Sequence, residues 1–403
     1  MESGELALTP ADDAERIAVV GAGIAGASLA LACRQAGLDI VVYERGAGSQ
    51  DELLEITPNG SRVLQALGLK EALMAASITP DFATLRSART GFLLSQRPLG
   101  AFSEARYGAP TCLIEHGTLQ QLLRSALADH EVPIVDGTAV TDIDTARSRL
   151  SFSDGKSRQH LACAVATGRA PEAMNDLLES RDWAVDPAIT GIRARGPRRT
   201  ADRAQERFQS TYVGPGFLLT ERPVPVSAGD EPIVELTAWV TAPRPEREAT
   251  AALDGLLKNC HPHLKTLHAE RQVNYVEVPQ APVAEFWQTG RAALLGEFCH
   301  GHPAHSQLAP AAALEDAWIL SRMMERWEDE PHQGFGDYEH FRRSRAARLR
   351  RFAETDFRAQ TEARGVSAWW RNFRWSLGSR FLPEIAMQRQ DWLYGYDCIK
   401  GFY

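Results

Sequence analysis

Arg16-Ile17-Ala18-Val19-Val20-Gly21-Ala22-Gly23-Ile24-Ala25-Gly26 reads as a buried strand that runs straight into a glycine-rich turn. The β-branched run Ile17–Val20 suits a parallel strand covered on both faces. After it, Leu29, Ala32, Cys33 and Ala36 fall at helical spacing, and Gly37 supplies a C-terminal stop. A second strand, Asp39 to Tyr43, ends at Glu44. Each glycine has its own mechanical role. Gly21 makes the tight turn, Gly23 admits a pyrophosphate to the backbone, and Gly26 lets the helix pack close to the strand. Ile24 and Ala25 open that helix, whose N-terminus faces the phosphates. Glu44 sits where a carboxylate takes the ribose hydroxyls of an adenosine. An acid there, rather than Arg or Ser, argues against the extra phosphate of NADP at this site. A lone G-x-G-x-x-G is weak, but strand, glycines, helix, second strand and terminal acid in order predict a dinucleotide-binding βαβ unit.

The remaining bulk properties set limits. The 403 residues suffice for a large core and more than one lobe. A net charge of −8 argues against nucleic acid or an anionic membrane as the main partner. Six scattered cysteines, with no C-x-x-C pair, read as reduced thiols rather than a disulfide framework. The stretch Met1 to Glu15 lacks the layout of a signal peptide, and no apolar run reaches the eighteen or so residues that span a bilayer. The expectation is a soluble, cytoplasmic protein.

Past Arg45, the segment Ile56-Thr-Pro-Asn-Gly-Ser-Arg-Val-Leu-Gln-Ala-Leu-Gly-Leu69 resembles the FAD-dependent aromatic hydroxylases, the group of salicylate hydroxylase and para-hydroxybenzoate hydroxylase. The likeness continues through the amphipathic helix Thr118 to Leu127, the second flavin motif over Gly296 to Ala317, and the end segment Asp391 to Asp397. It implies an α/β fold: a Rossmann-like FAD-binding domain of the glutathione-reductase type, an inserted β-sheet substrate domain, and C-terminal helices. The implied divisions are 16–81, 103–181 and 283–335 for the FAD domain, 82–102 and 182–282 for the substrate domain, and 336–403 for the helices. Strand-like runs at Ile233–Val240 and Gln272–Val278 fall in the substrate part. The implied activity is hydroxylation of a small aromatic or heteroaromatic substrate with O₂ and NADH or NADPH, through a flavin hydroperoxide. The chemistry belongs to the flavin, and the protein supplies position, electrostatics and exclusion of water.

Several positions depart from the group's pattern. The ribityl-binding aspartate becomes Glu297, the family Gln-Gly falls at Leu308-Ala309, and the proline near the ring falls at Ala304. The arginine before the amphipathic helix is His116, and only Gly168 survives of the segment read over Ala166–Met174. The entry to the Pro-Asn helix, Asp51-Glu52-Leu53-Leu54, is bulky and acidic. Carried over by position, the cofactor contacts are Gly21, Gly23, Ile24, Ala25, Gly26, Glu44, Arg45, His116, Glu297 and Ala309. The altered positions leave two further readings open: a flavin-impaired relative acting as a ligand-binding or partner subunit, and an enzyme of the same fold fed with reduced flavin. A homodimer or a partner flavoenzyme is likewise left open.

Glu297, Cys299, His300, His302 and His305 lie close together in sequence. Zinc or iron could use such donors, yet the arrangement reads better without a metal. His300, His302 and His305 are the candidates for proton transfer near neutrality. The arginine-rich stretch Phe341 to Phe352 reads as a solvated helix face paired with acids, not a nucleic-acid site. Trp369, Trp370, Phe373, Trp375 and Phe381 read as core packing of the C-terminal helices, or as a dimer or partner contact.

Overall fold

A computed structural model describes residues 13–46, 52–168, 189–197, 207–227, 229–266, 272–276, 284–381 and 383–402. Asp51, the part of the Ala166–Met174 reading beyond Gly168, and several stretches of 182–282 lie outside the described residues.

The six-stranded sheet that receives the fingerprint has the order Gln288–Thr289, Ala292–Leu294, Ala162–Val165, Ile17–Val20, Ile40–Glu44, Ile134–Asp136. All neighbours are parallel except the edge strand Gln288–Thr289. The central strands are buried along their whole length, which is why their sequence is a continuous apolar run rather than an alternation. Val20 pairs with Tyr43 on one side and Val165 on the other. The chain steps first to Ile40–Glu44 and only later to Ala162–Val165, so the strand order reverses at Ile17–Val20. In open α/β sheets a crevice forms at such a switch point, beyond the carboxyl ends of the strands.

A three-stranded antiparallel meander, Val140–Asp144, Arg149–Phe152 and Ser157–Gln159, carries the chain across. The second large sheet has seven strands in the order Gln272–Val276, Thr190–Pro197, Ile233–Val240, Phe217–Val224, Phe208–Gly214, Phe82–Ser87, Leu93–Pro98. Its core, with Ile192, Tyr212, Leu219, Leu236 and Leu253, is separate from the one under the first sheet. The protein is thus α/β, with a parallel nucleotide-type sheet and a mostly antiparallel sheet beside it.

Helices tie the two together. The helix Ala309–Arg326 packs on the fingerprint helix Ile24–Gln35 and on Pro58–Ala66. The helix Gly334–Thr361 touches Ala309–Arg326 on one side and the strands Phe208–Gly214 and Phe217–Val224 on the other. Here one expectation fails. Arg342 is fully buried and Arg345 nearly so, because this helix crosses the interior and both guanidiniums meet carboxylates there. They pair with acids as expected, but away from solvent. The C-terminal aromatic cluster differs too: Trp369 is 58% exposed and Trp370 54%, so these rings are not core packing. Trp369 stacks on Phe373 along the helix surface, while Trp375 packs against a small core around Trp239. Phe381 has no described side chain. No helix among the described residues is long and apolar enough to cross a membrane.

The turn after Val20 depends on a close approach. Gly21 has φ +100°, a left-handed conformation suited to glycine. A methyl on Gly26 would lie 1.9 Å from the Gly21 carbonyl oxygen, a backbone atom with no room to retreat. Gly26→Ala is therefore expected to destabilise the protein by about 1–3 kcal/mol or more, lowering the urea midpoint. Gly37→Ala, where nothing lies within 4 Å, answers only for its positive φ and should cost about 1 kcal/mol.

Candidate active site

The carboxyl end of Ile17–Val20, the start of the fingerprint helix and the end of Ile40–Glu44 meet at one mouth. The Ala22 amide donates to Glu44 Oε2 at 2.6 Å, and the Gly46 amide donates to Oε1 at 2.8 Å. Two backbone amides thus fix the carboxylate, and its other lone pairs remain for a diol. Gly23 is the N-cap of the fingerprint helix, which has no side-chain cap, so its first-turn amides suit an anion. A Cβ at Gly23 would meet nothing within 4 Å. The Gln120 amide holds the turn from behind by donating to the Ala22 carbonyl at 3.2 Å.

This mouth opens into a cavity of about 430 Å³. Gly21, Gly23, Ile24, Ala25, Glu44, Arg45, His116, Glu297 and Ala309 all line it. Gly26 lies beneath, where its closeness to Gly21 is its contribution. The antiparallel pair Leu53–Ile56 and Cys112–Glu115 brings Glu52, Leu54 and His116 to the wall. Burial lowers the His116 pKa, against the pull of Glu52 and Glu297, and its Nδ1 has no hydrogen-bond partner among the described residues. The far end is formed by Gly296, His302, Pro303, Ala304, Ser306, Gln307, Ala309 and Pro310. Thr138, Ala139 and Val140 also line the wall; they arrive on the crossover, where no sequence motif marks them.

The three candidate histidines separate. Only His302 lines the cavity. His300 points away from it, with Nε2 2.7 Å from Asp316 Oδ2. His305 lies flat on Phe357, ring centroids 3.9 Å apart, with Trp239 at its edge. Among the described residues, no group of three or more His, Cys, Asp or Glu could hold a metal.

Under the far end lies a buried charge cluster. Asp316 accepts the Gly296 amide at 3.1 Å and binds Arg342 Nε at 2.7 Å. Glu315 takes Arg342 Nη1 at 2.6 Å, Arg345 Nη2 at 2.6 Å and Arg345 Nε at 2.8 Å. Asn59 donates to Glu315 Oε1 at 2.8 Å. Burial alone would raise both carboxyl pKa values. Arg342 and Arg345 outweigh it for Glu315, and His300 with Arg342 hold Asp316 at about 2.

A second cluster lies where the seven-stranded sheet meets the cavity. Glu235 is fully buried, and Arg195 (2.7 Å) and Arg222 (2.7 Å) bind it. Arg222 also donates to Gln307 at 2.7 Å, linking this sheet to the cavity wall.

Comparison with known proteins agrees with this geometry. The NAD(P)-binding Rossmann-like domain family matches residues 19–49. A 3-amino-4-hydroxybenzoate 2-monooxygenase of Streptomyces platensis is 28% identical over 362 residues, covering 83% of this chain and 86% of its own. A 6-hydroxynicotinate 3-monooxygenase of Pseudomonas fluorescens is 27% identical, covering 84% and 90%. Over most of its length the chain is thus similar to monooxygenases of aromatic and heteroaromatic compounds. In fold, a Klebsiella pneumoniae HpxO variant solved with FAD superposes with a TM-score of 0.76 at 23% identity, covering 93% of this chain and 98% of that one. A salicylate hydroxylase substrate complex also gives 0.76, at 18% identity and 96% coverage of both chains. In this chain Glu297, His116 and Ala309 line the cavity wall.

The charge cluster sets the acid limit of the fold. Asp316 has a folded pKa of about 2, below the roughly 3.9 of an unfolded aspartate. Its stabilisation is therefore complete above about pH 4 and is lost as pH falls toward 2. Asp316→Asn strands Arg342, so it is expected to lose about 3–5 kcal/mol at pH 7. Its stability should also depend less on pH between 4 and 2 than the wild type's. Urea unfolding at pH 7, 4 and 3 measures both.

Proposed function

We propose that the protein is an FAD-dependent monooxygenase that places one atom of O₂ on a small aromatic or heteroaromatic ring, with NADH or NADPH as reductant. The observation that carries this is one continuous cavity, walled at one end by the fingerprint and Glu44 and at the other by both halves of the second flavin motif, Gly296–Glu297 and Ala309–Pro310. The residues present fit the cofactor. The open space at Gly23, the uncapped helix start and the amide-pinned Glu44 suit a pyrophosphate and a ribose. Glu297, Arg45 and His116, on the cavity wall, would hold the remainder of the cofactor. FAD would supply the oxygen-activating chemistry.

This chain's residues hold and exclude. The Glu44 carboxylate fixes the adenosine end. Leu54 and the residues Pro303, Ala304, Ser306, Gln307 and Ala309 wall the cavity and would limit water there. The substrate would lie between that loop and the seven-stranded sheet, where Arg222 and Gln307 are joined. The reading of a flavin-impaired relative is not favoured, since the altered positions still wall the cavity.

The test is an absorption spectrum of the purified protein before and after FAD is added. A yellow protein is expected, with flavin that bleaches on adding NADH or NADPH and recovers in air. Glu44→Ala removes a charged acceptor worth about 1.5–3 kcal/mol, so its FAD dissociation constant should rise roughly 10- to 150-fold. A wild-type protein that takes up no FAD would sink the proposal.

A further inference from the structure

The helix Gly365–Phe381 has two faces with different fates. Its inner face covers the edge strand Leu93–Pro98 of the seven-stranded sheet. There Trp375 packs against the cluster of Leu94, Trp239 and Phe357. Arg371 lies over the Trp375 ring, 4.8 Å from its centroid, and donates to the Gln360 carbonyl at 2.7 Å. The outer face has no such task. On it Val366 is 75% exposed, Trp369 58%, Trp370 54%, Phe373 45% and Leu377 48%. Placed at i, i+3, i+4, i+7 and i+11, they form one stripe along the helix. Trp369 stacks on Phe373 with centroids 5.5 Å apart, and Trp370 meets the two edge-on at 5.0 and 5.9 Å. Aromatic side chains present about 150–250 Å² each, so the stripe leaves on the order of 500 Å² of apolar surface in water. Contiguous patches of that size mark interaction sites.

The order of the residues says what covers it. Reversing the helix about the midpoint between Arg371 and Asn372 exchanges Val366 with Leu377 and Trp370 with Phe373. Two copies packed antiparallel about a two-fold axis therefore set each apolar end on the other and the aromatic centre on itself. Arg374, exposed one turn after Trp370 on the same flank, comes against Trp370 of the second copy. A guanidinium over an indole face is favourable, and the symmetry makes that contact twice. Two stripes together bury on the order of 1,000 Å², enough for a specific interface. The helix has no Asp or Glu, so the rival occupant is an anionic lipid surface. Such a surface has no use for the reversal symmetry, and the chain's net charge of −8 opposes it.

We propose that the outer stripe of the helix Gly365–Phe381 is a homodimer interface, in which two copies of the helix pack antiparallel about a two-fold axis beside Arg371 and Asn372.

Sedimentation velocity of the full chain tests this. The wild type is expected at twice the mass of one chain at micromolar concentrations, falling toward the monomer on dilution. Trp370→Glu puts a carboxylate at the centre of the stripe, so the dimer dissociation constant should rise about 30-fold or more. Residue 370 is exposed in the single chain, so the urea midpoint of the dilute monomer should not change. Arg374→Ala should raise the dissociation constant roughly 2- to 30-fold. Cross-linking reads the register. The six native cysteines are buried, so a short bis-maleimide reaches thiols introduced by Val366→Cys or Leu377→Cys. These positions lie about 16 Å apart along one helix, beyond the reagent, but the reversal brings each beside the other on the second copy. A mixture of the two single variants should give a covalent dimer, and each alone should not. A monomeric wild type, a dimer that Trp370→Glu leaves intact, or cross-linking of either single variant alone overturns the proposal. So does a monomeric wild type that sediments with phosphatidylglycerol vesicles, which would give the stripe to a lipid surface. None of these measurements needs bound FAD or turnover, so their failure leaves the monooxygenase reading untouched.

Discussion

Two carboxylates with no exposed surface, Glu315 and Asp316, are the constraint around which the protein is organised. Their desolvation would be prohibitive alone. It is offset because distant parts of the chain converge on them: Asn59 from the Pro-Asn helix, the Gly296 amide and His300 from the second motif, and Arg342 and Arg345 from the long helix. Arg345 extends the network by donating to the carbonyls of Trp392 and Leu393, and Arg62 donates to those of Tyr107, Tyr394 and Tyr396. The geometry of the ring end of the cavity is thus set by charges that never touch it.

The nucleotide end was legible in the sequence because its causes are local. The strand, the turn and the acid that Ala22 and Gly46 bind all lie within Arg16–Gly46, and each glycine answers to a neighbour only a few residues away or to the adjoining strand. The charge cluster was not legible. Asn59 and Glu315 are 256 residues apart in the chain, and Arg342 looks no different in sequence from the solvated arginines around it. The low hydrophobic contrast of Gly334–Thr361 hides that one of its faces crosses the interior. For the same reason three histidines that look alike in sequence part company: one turn of backbone and the left-handed Gly301 send His300 to Asp316 and His302 to the cavity.

The sheet beside the cavity follows a similar rule on a smaller scale. Glu235 lies opposite Arg195 on one neighbouring strand and Arg222 on the other, so a cross-strand register places three charges in one row. That register also holds Arg222 where it can reach Gln307 on the cavity wall. Alternation of side chains in the strands predicts such partners in principle, but only once strand order is known.

The dependence on residues 392–396 orders the assembly of the protein in time. The fingerprint can close as soon as residues 16–46 and the strand Ala162–Val165 have emerged from the ribosome. The floor under the second motif cannot, because Arg345 and Arg62 find their last carbonyl acceptors only when Trp392 to Tyr396 have been made. A nascent chain can therefore complete the glycine-rich turn before the floor under Gly296, which waits for residues 392–396.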